Sequence, residues 1–249
     1  MSAVASAPEV AYRSPVSRTL SWYRDAFGLW RRAPLRLVAL TLACLLAEAL
    51  LQLVPWAGVV VSKAVVPMLL AGIWIGLDGL HQRGEPLRLA CLWDGWRQPR
   101  WPALWALAAF AGLAVFGVQL GCAVLVFGPA AIDAVLFGHL AQHPQLQTRS
   151  AEYVLLLPGL FPATLLSLAL PLFLFHGCRP LAAVAGSVRR VLRHPLAFFL
   201  AMLPQLLLFA LALSSAWFLP LLLVLQPLGT VVSFAAWSDP AIQHPASIP

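Results

Sequence analysis

Six long apolar segments constrain this chain more than any other feature of its sequence. They lie at about 35–54, 58–80, 102–127, 153–175, 196–215 and 216–237. A helix needs about 20 apolar residues to cross the hydrocarbon core of a bilayer, and each segment is long enough to do so. Only 10% of the residues are charged, whereas a soluble domain has about 25%. The sequence therefore predicts an all-α, polytopic membrane protein with six transmembrane helices.

Basic residues are sorted into three clusters, each of which precedes a pair of apolar segments. They hold fourteen of the sixteen arginines and lysines, and Lys63 and Arg149 are the exceptions. The clusters consist of Arg13, Arg18, Arg24, Arg31, Arg32 and Arg36, then Arg83, Arg88, Arg97 and Arg100, then Arg179, Arg189, Arg190 and Arg193. Basic residues stay on the cytoplasmic side of a membrane. We therefore expect all three clusters, and both chain termini, to be cytoplasmic.

The three clusters share a local pattern that predicts a repeated unit. Each ends at a proline suited to the first turn of a helix, namely Pro34, Pro102 and Pro195. The stretch before each proline is amphipathic, which is typical of a helix lying on a membrane surface. We expect three units, each an interfacial amphipathic helix followed by a helical hairpin. The second helix of each hairpin contains a proline (Pro67, Pro171 and Pro227), although prolines are also common in membrane helices generally.

This organisation predicts the domains and the partners. Residues 1–16 are expected to be a flexible cytoplasmic tail, 17–240 a single integral membrane domain and 241–249 a short tail. Anionic lipid headgroups are the expected partners, at roughly 1 kcal/mol per basic residue near the surface. A membrane-protein partner or a second copy of the chain remains an alternative, and nucleic acid is not expected. The candidate lipid contacts are Arg31, Arg32, Arg97, Arg189, Arg190 and Arg193.

Several short phrases resemble a known family. They are FGLWRRAPL at 27–35, VPMLLAG at 66–72, RGEP at 83–86, SVRR at 187–190, HP at 194–195 and WSDP at 237–240. Together they resemble a family of uncharacterised bacterial multi-pass inner-membrane proteins. That family is distantly similar to the membrane-anchoring region of glycerophosphoryl diester phosphodiesterases. His194 and Ser238 stand where relatives often carry asparagine and an aromatic residue. The resemblance implies a six-helix fold in a bacterial inner membrane and carries over no catalytic residue.

Two ionisable residues, Glu48 and Lys63, lie inside apolar segments on either side of the turn at Trp56. At 1.5 Å per residue each lies about 10–12 Å along its helix from that turn, so antiparallel helices would bring them together. The sequence predicts an intramembrane ion pair, since pairing offsets much of the desolvation of the two charges. A proton-coupled site at Glu48 is the functional alternative, and Lys63 can also reach toward headgroups.

Amides and small residues occur inside other apolar segments. Gln119, Gln205 and Gln226 either hydrogen-bond between helices or line a polar pathway. The pairs Gly72 with Gly76 and Gly117 with Gly121 have the spacing that allows close helix approach, within one chain or between chains.

Two groups of histidine and acidic residues are candidate metal-binding or catalytic sites. His139 and His143, with Asp133 and Glu152 nearby in sequence, would share a helix face, but they lack a defined third zinc ligand. Asp78 and His81 are better explained as a solvated helix end. Motifs of metalloproteases, serine hydrolases and nucleotide-binding proteins do not occur in the sequence. We therefore expect no metal site, cofactor or catalytic residues.

These observations favour a non-enzymatic inner-membrane protein that acts through lipid or protein partners at the cytoplasmic leaflet. The alternative is a small-molecule or ion transporter or channel that uses the polar residues inside the bundle, which requires a water-accessible cavity. A membrane enzyme acting on lipids is the third and weakest hypothesis.

Overall fold

The computed structural model describes residues 14–243 and is helical throughout. Of the expected tails, residues 1–13, which include Arg13, and residues 244–249 lie outside the described part. The α-helices in chain order are α1 (Pro15–Arg32), α2 (Pro34–Gln52), α3 (Ala57–Gln82), α4 (Trp101–Phe127), α5 (Ala130–Phe137), α6 (Arg149–Leu166), α7 (Ala169–His176), α8 (Pro180–Arg193), α9 (Pro195–Ser214), α10 (Leu219–Ser238) and α11 (Pro240–Gln243). Residues 14–243 contain no β-strand, so the all-α prediction is confirmed for them.

Six helical stretches are long and apolar enough to cross a membrane, as the sequence predicted. They run over Pro34–Gln52, Ala57–Gln82, Trp101–Phe127, Ser150–His176, Pro195–Ala212 and Pro220–Ser238. Their bounds differ from the expected ones by about one helical turn at most. By length and composition they fit a multi-pass membrane protein.

The fourth stretch is interrupted at Ser167 and Leu168, which separate α6 from α7. Pro171 explains the break, because its ring conflicts with the carbonyl four residues earlier, that of Ser167. The backbone groups near the break are satisfied from another helix. The Ser187 hydroxyl of α8 donates to the Leu165 carbonyl at 2.6 Å and accepts from the Leu168 N–H at 3.1 Å. This fully buried serine fastens α8 to the broken span.

The spanning helices close into a ring. Helix α2 packs against α3, α3 against α4, α4 against α6, α6 against α9, α9 against α10, and α10 again against α2. Helix α1 packs against α9 and α10, while α8 packs against α6 and α7.

The segments that carry the arginines meet at one end of this ring. We call residues 14–36, 83–100, 177–195 and 238–243 the basic end. Four contacts tie these segments together: Arg36 to the Leu87 carbonyl, Arg100 to the Gly177 carbonyl, Arg18 to His194, and Trp22 to Asp239. At the opposite end, the Trp56 N–H donates to the Leu136 carbonyl and joins the α2–α3 turn to α5.

The main hydrophobic core occupies only one half of the bundle. Within the six spans its buried members lie at the start of α2, α4 and α9, at the end of α3 and α10, and in α7, which are the parts nearest the basic end. Trp22, Phe234 and Trp237 form its aromatic centre together with Trp74 and Phe198. Toward the opposite end the helices separate, and cavities of about 280, 460 and 260 Å³ lie between them.

The segments expected to form interfacial helices differ from one another. The first and third are α-helices, α1 and α8. The second was expected to be an amphipathic helix, but it contains only a 3₁₀-helix at Leu89–Trp93 followed by turns. Gly84, Pro86, Gly95 and Pro99 within this segment disfavour a continuous α-helix.

One glycine permits a close helix approach that the sequence analysis did not single out. At Gly112 of α4 a methyl group would overlap the Lys63 carbonyl of α3. Gly72 and Gly76 lie against Cys91 and Leu87 of the segment between α3 and α4, whereas open space surrounds Gly117 and Gly121. The second predicted glycine pair therefore does not form a helix contact within the described chain.

Candidate functional site

Glu48 and Lys63 are brought together inside the bundle, as their spacing about Trp56 led us to expect. Lys63 Nζ lies 2.5 Å from Glu48 Oε1, and the Gln52 side-chain amide donates to the same oxygen at 3.0 Å. The ammonium group also lies 5.7 Å from the centre of the Phe116 ring. Both charged groups therefore have partners within the chain.

The ion pair borders a cavity of about 280 Å³ between α2, α3, α4 and α6. Gln119 of α4 reaches the same cavity, and its amide nitrogen lies 3.5 Å from the Leu156 carbonyl. Most of the remaining lining is apolar, including Pro67 and Phe116. This cavity thus places a few polar groups on a largely apolar wall.

The three amides proposed for a polar pathway are not continuous with one another. Gln205 of α9 donates to the side-chain carbonyl of Gln226 on α10, so these two amides satisfy each other. A cavity of about 460 Å³ extends from Gln119 to Leu206 and Leu207 of α9, and its walls are almost entirely apolar. The space beyond Gln119 is therefore suited to hydrocarbon rather than to water or ions.

Four of the six candidate lipid contacts are exposed at the basic end without an internal partner. In the described chain no hydrogen bond or salt bridge is formed by the side chains of these four: Arg31, Arg32, Arg189 and Arg193. Arg31 additionally stacks over the Phe27 ring, with 5.8 Å between its guanidinium carbon and the ring centre. A free guanidinium offers planar, paired donors that fit phosphate and carboxylate groups.

The other two candidates have internal partners. Arg97 is 69% exposed, but its Nη1 lies 3.1 Å from Asp94 Oδ1. Arg190 is half-buried, and its Nε donates to the Ile242 carbonyl at 2.8 Å, which ties α8 to α11. Burial lowers the pKa of the Arg190 guanidinium from its ordinary value. Arg190 is thus placed as a structural tether rather than as a surface contact.

A buried polar cluster at the basic end was not anticipated from the sequence. Arg18 of α1 is 8% exposed, and its Nη1 lies 2.8 Å from His194 Nδ1. The Trp22 indole N–H donates to Asp239 Oδ2 at 2.9 Å, and Arg18 Nε lies 3.8 Å from the same oxygen. Burial first, and then Arg18, lower the pKa of His194, while Asp239 opposes the shift. A neutral His194 accepts the Arg18 hydrogen bond, so the cluster fastens α1 to the ends of α8 and α10.

Two histidines of the long connection, by which we mean residues 128–148 between α4 and α6, contact the same carboxylate. His139 Nδ1 and His143 Nε2 lie 3.0 and 2.8 Å from the two oxygens of Asp133. They flank a 3₁₀-helix at Leu140–Gln142 rather than sharing an α-helical face. Hydrogen bonds from His143 and His139 hold the pKa of Asp133 below its ordinary value. In residues 14–243 no three histidine, cysteine or acidic side chains are grouped as metal ligands.

Comparison of the chain with protein-family models, curated proteins and solved structures found no match. The resemblance of the short phrases to a bacterial inner-membrane family therefore stays a prediction.

Asp78 and His81 have separate surroundings. Asp78 Oδ1 accepts from the Gln82 amide at 2.6 Å, and the His81 ring meets the edge of Phe234 at 5.9 Å between ring centres.

The polar groups inside the bundle mostly satisfy one another, whereas the basic end presents guanidinium groups outward. The exposed basic end is thus the better candidate for binding another molecule.

Proposed function

We propose that this chain is a non-catalytic, multi-pass protein of a bacterial inner membrane that acts through contacts with anionic lipids at the cytoplasmic leaflet. In this proposal the basic end faces the cytoplasm, and both chain termini lie on that side. The six spans form three hairpins, and α1 and α8 lie at the inner membrane surface.

The observation that carries the proposal is the composition of the outward faces of α1 and α8. Along α1 one exposed stripe is formed by Val16, Leu20, Arg24, Phe27 and Arg31, and the exposed Asp25 lies beside it. Residues three and four apart share one face of a helix, so these apolar and basic side chains are neighbours. At a membrane surface the apolar groups enter the acyl region, and the arginines extend to the phosphates.

Helix α8 repeats this arrangement independently. Its exposed side chains include Leu181, Arg189, Leu192 and Arg193, and Leu196 follows at the start of α9. An outward face of leucine and arginine is unsuited to water alone, because its leucines would remain hydrated. It is suited to the boundary between headgroups and acyl chains.

The distribution of charge along the chain supports the orientation. Thirteen of the sixteen basic residues precede the first, third and fifth spans, and Arg36 lies in the first turn of the first span. In this proposal successive spans cross the membrane in opposite directions. This bias is the pattern that places such segments in the cytoplasm.

The test measures lipid preference with the full chain purified in detergent. The protein is mixed with equal amounts of phosphatidylglycerol and phosphatidylcholine, and the retained lipid is quantified by mass spectrometry. We expect the wild type to enrich phosphatidylglycerol. Reversing two charges with Arg189→Glu and Arg193→Glu should lower that enrichment strongly, because each basic residue near an anionic surface contributes about 1 kcal/mol.

Arg149→Glu is the control, because it reverses a charge at the first residue of α6 rather than in a basic cluster. It should leave the enrichment unchanged. If Arg189→Glu with Arg193→Glu, and separately Arg31→Glu with Arg32→Glu, retain the wild-type preference, lipid recognition by the basic end is wrong.

Transport across the membrane is the second candidate function, because Glu48 and Lys63 border a cavity of about 280 Å³. It requires water to reach that cavity. A cysteine introduced as Ala111→Cys, which lines it, would then react with a charged, membrane-impermeant thiol reagent. We expect no reaction, since most of the lining is apolar, and rapid labelling would favour transport.

A further inference from the structure

A second feature of the basic end is a cleft between the start of α2 and the segment that follows α3. Its volume is about 400 Å³. Leu35, Arg36 and Ala39 of α2 form one wall, and residues 86–89 form the other. Its arginines, Arg36 and Arg88, are not among the six candidate lipid contacts named from the sequence.

The two charged residues that line the cleft, Arg36 and Arg88, are both cationic. Arg36 Nη1 donates to the Leu87 carbonyl at 3.1 Å, which holds this guanidinium beside the residue preceding Arg88. The Arg88 side chain forms no hydrogen bond or salt bridge with residues of the described chain. Of the described residues that line the cleft, none is acidic. The cleft itself therefore holds two positive charges and no acidic wall residue, while Arg88 also lines the neighbouring cavity that contains Glu85.

A neighbouring cavity shows the contrast. It has a volume of about 480 Å³, lies on the other side of residues 86–88, and also contains arginines. There Arg83 Nε lies 2.6 Å from Glu85 Oε1, and Arg97 Nη1 lies 3.1 Å from Asp94 Oδ1. Its own acids neutralise these two arginines. Arg88 lines both spaces, but only the cleft adds a second arginine without an acidic partner, Arg36, so an anion is attracted to the cleft.

The walls of the cleft indicate what kind of anion fits. Leu35 is 83% exposed and Leu89 is 59% exposed, and with Ala39 they form an apolar surface beside the two guanidinium groups. The apolar surface formed by Leu35 and Ala39 continues along α2, a helix with the length and composition of a membrane span. A small soluble anion gains nothing from such walls, whereas an amphiphile gains from both parts of the cleft.

We propose that Arg36 and Arg88 form a binding site for the headgroup phosphate of one anionic phospholipid. Its acyl chain lies along Leu35, Ala39 and Leu89. This inference rests on the proposed function, because it requires the basic end to face an anionic leaflet. It adds a defined site of one lipid per chain to the general attraction of the exposed arginines.

The experiment counts lipids by native mass spectrometry of the full chain at sub-saturating phosphatidylglycerol. We expect wild-type protein to retain one tightly bound phosphatidylglycerol. Arg36→Gln with Arg88→Gln should weaken that binding about thirtyfold, as expected for the loss of two cationic contacts with an anionic headgroup. Arg88→Gln alone should weaken it about fivefold. Since the Arg88 side chain has no hydrogen bond or salt bridge within the described chain, that variant should fold normally.

The matched control is Arg83→Gln with Arg179→Gln, which removes two charges of the basic end outside the cleft and outside the candidate lipid contacts, and it should keep the single tight lipid. If Arg88→Gln and the double cleft variant both keep it as well, the cleft assignment is refuted, while the proposed function stands. If wild-type protein shows no preference over phosphatidylcholine, the proposed function fails and the cleft with it. Displacement of the lipid by millimolar inorganic phosphate would show that the site recognises the anion alone, and would overturn the phospholipid assignment.

Discussion

At the scale of single residues, the ion pair of Glu48 and Lys63 has the largest expected effect on stability. A charge inside a span is unfavourable unless a partner compensates it, and these two groups lie 2.5 Å apart. Replacing one partner leaves the other charge uncompensated, so Glu48→Leu or Lys63→Leu should each destabilise the protein by about 3 kcal/mol. The free energy of unfolding in detergent measures this effect.

The double variant Glu48→Leu with Lys63→Leu separates a pair from two independent charges. We expect it to be more stable than the sum of the single effects by about 1–3 kcal/mol, because no charge is then left alone. Additive losses would show that the two groups act separately. Gln119→Leu, which borders the same cavity, is the control and should change stability little.

His194 makes the attachment of α1 sensitive to pH. Its pKa lies below the ordinary value of 6.5, chiefly because of burial, so the unfolded chain binds more protons. Stability from the Arg18–His194 contact is therefore fully present above about pH 6.5 and is lost as the pH falls through the folded pKa. We expect the thermal midpoint to fall between about pH 7 and pH 5.

The comparison that isolates this effect is His194→Gln, whose side-chain oxygen accepts from Arg18 without titrating. That variant should lose a part of the pH dependence, whereas His139→Gln, on the long connection, should retain it. Equal pH dependence in wild type and His194→Gln would rule out the role given to His194.

Residue pairs differed in how well the sequence predicted them. Glu48 and Lys63 could be paired in advance because a short turn separates them and helices have a fixed rise. The contacts of Arg18 with His194 and of Trp22 with Asp239 join residues far apart in the chain, and no local periodicity relates them. In the sequence Arg190 is not distinguishable from Arg189 and Arg193, which are exposed on α8. Its contact with Ile242 depends on how α11 packs against α8, and the sequence does not give that packing.

At the scale of elements, the approach of α3 and α4 depends on Gly112. A methyl group there would overlap the Lys63 carbonyl, and backbone cannot move aside as a flexible side chain can. Gly112→Ala should therefore destabilise the protein by about 1–3 kcal/mol through forced separation of the two helices. Thermal unfolding of the purified variant measures the loss.

Gly117→Ala, one to two turns along the same helix, is the matched control. Its added methyl group meets open space, and alanine favours helix over glycine by about 1 kcal/mol. That variant should be unchanged or slightly more stable. If Gly112→Ala behaves like Gly117→Ala, close packing at Gly112 does not contribute to stability.

Elements were predicted well where the apolar run was long and poorly where turn residues interrupted it. The spans follow from length and hydropathy, and their α-helical state requires only that backbone groups in lipid be satisfied. The prediction of a helix for the second interfacial segment was wrong. It relied on the arginines and leucines of the segment, although Gly84, Pro86 and Gly95 disfavour a continuous helix. The break before α7 follows from Pro171, but the sequence did not show that Ser187 would satisfy the freed groups.

At the scale of the whole molecule, the proposed orientation makes a direct prediction. Reporter enzymes fused after Ala33 and after Arg190 should both report the cytoplasm, since both positions belong to the basic end. A fusion after Gln142, in the long connection, should report the other side of the membrane. Opposite locations for the first two fusions would contradict the arrangement of six spans.

The confinement of the core to the half of the bundle nearest the basic end has a consequence for motion. Regions with few buried apolar contacts open first, and their amides exchange with solvent deuterium sooner than amides in a well-packed region. The backbone amides of the turns around Trp56 and Trp217 should thus exchange faster than those of the aromatic centre around Trp22 and Phe234. We therefore expect the molecule to be rigid near the basic end and more mobile toward the opposite end.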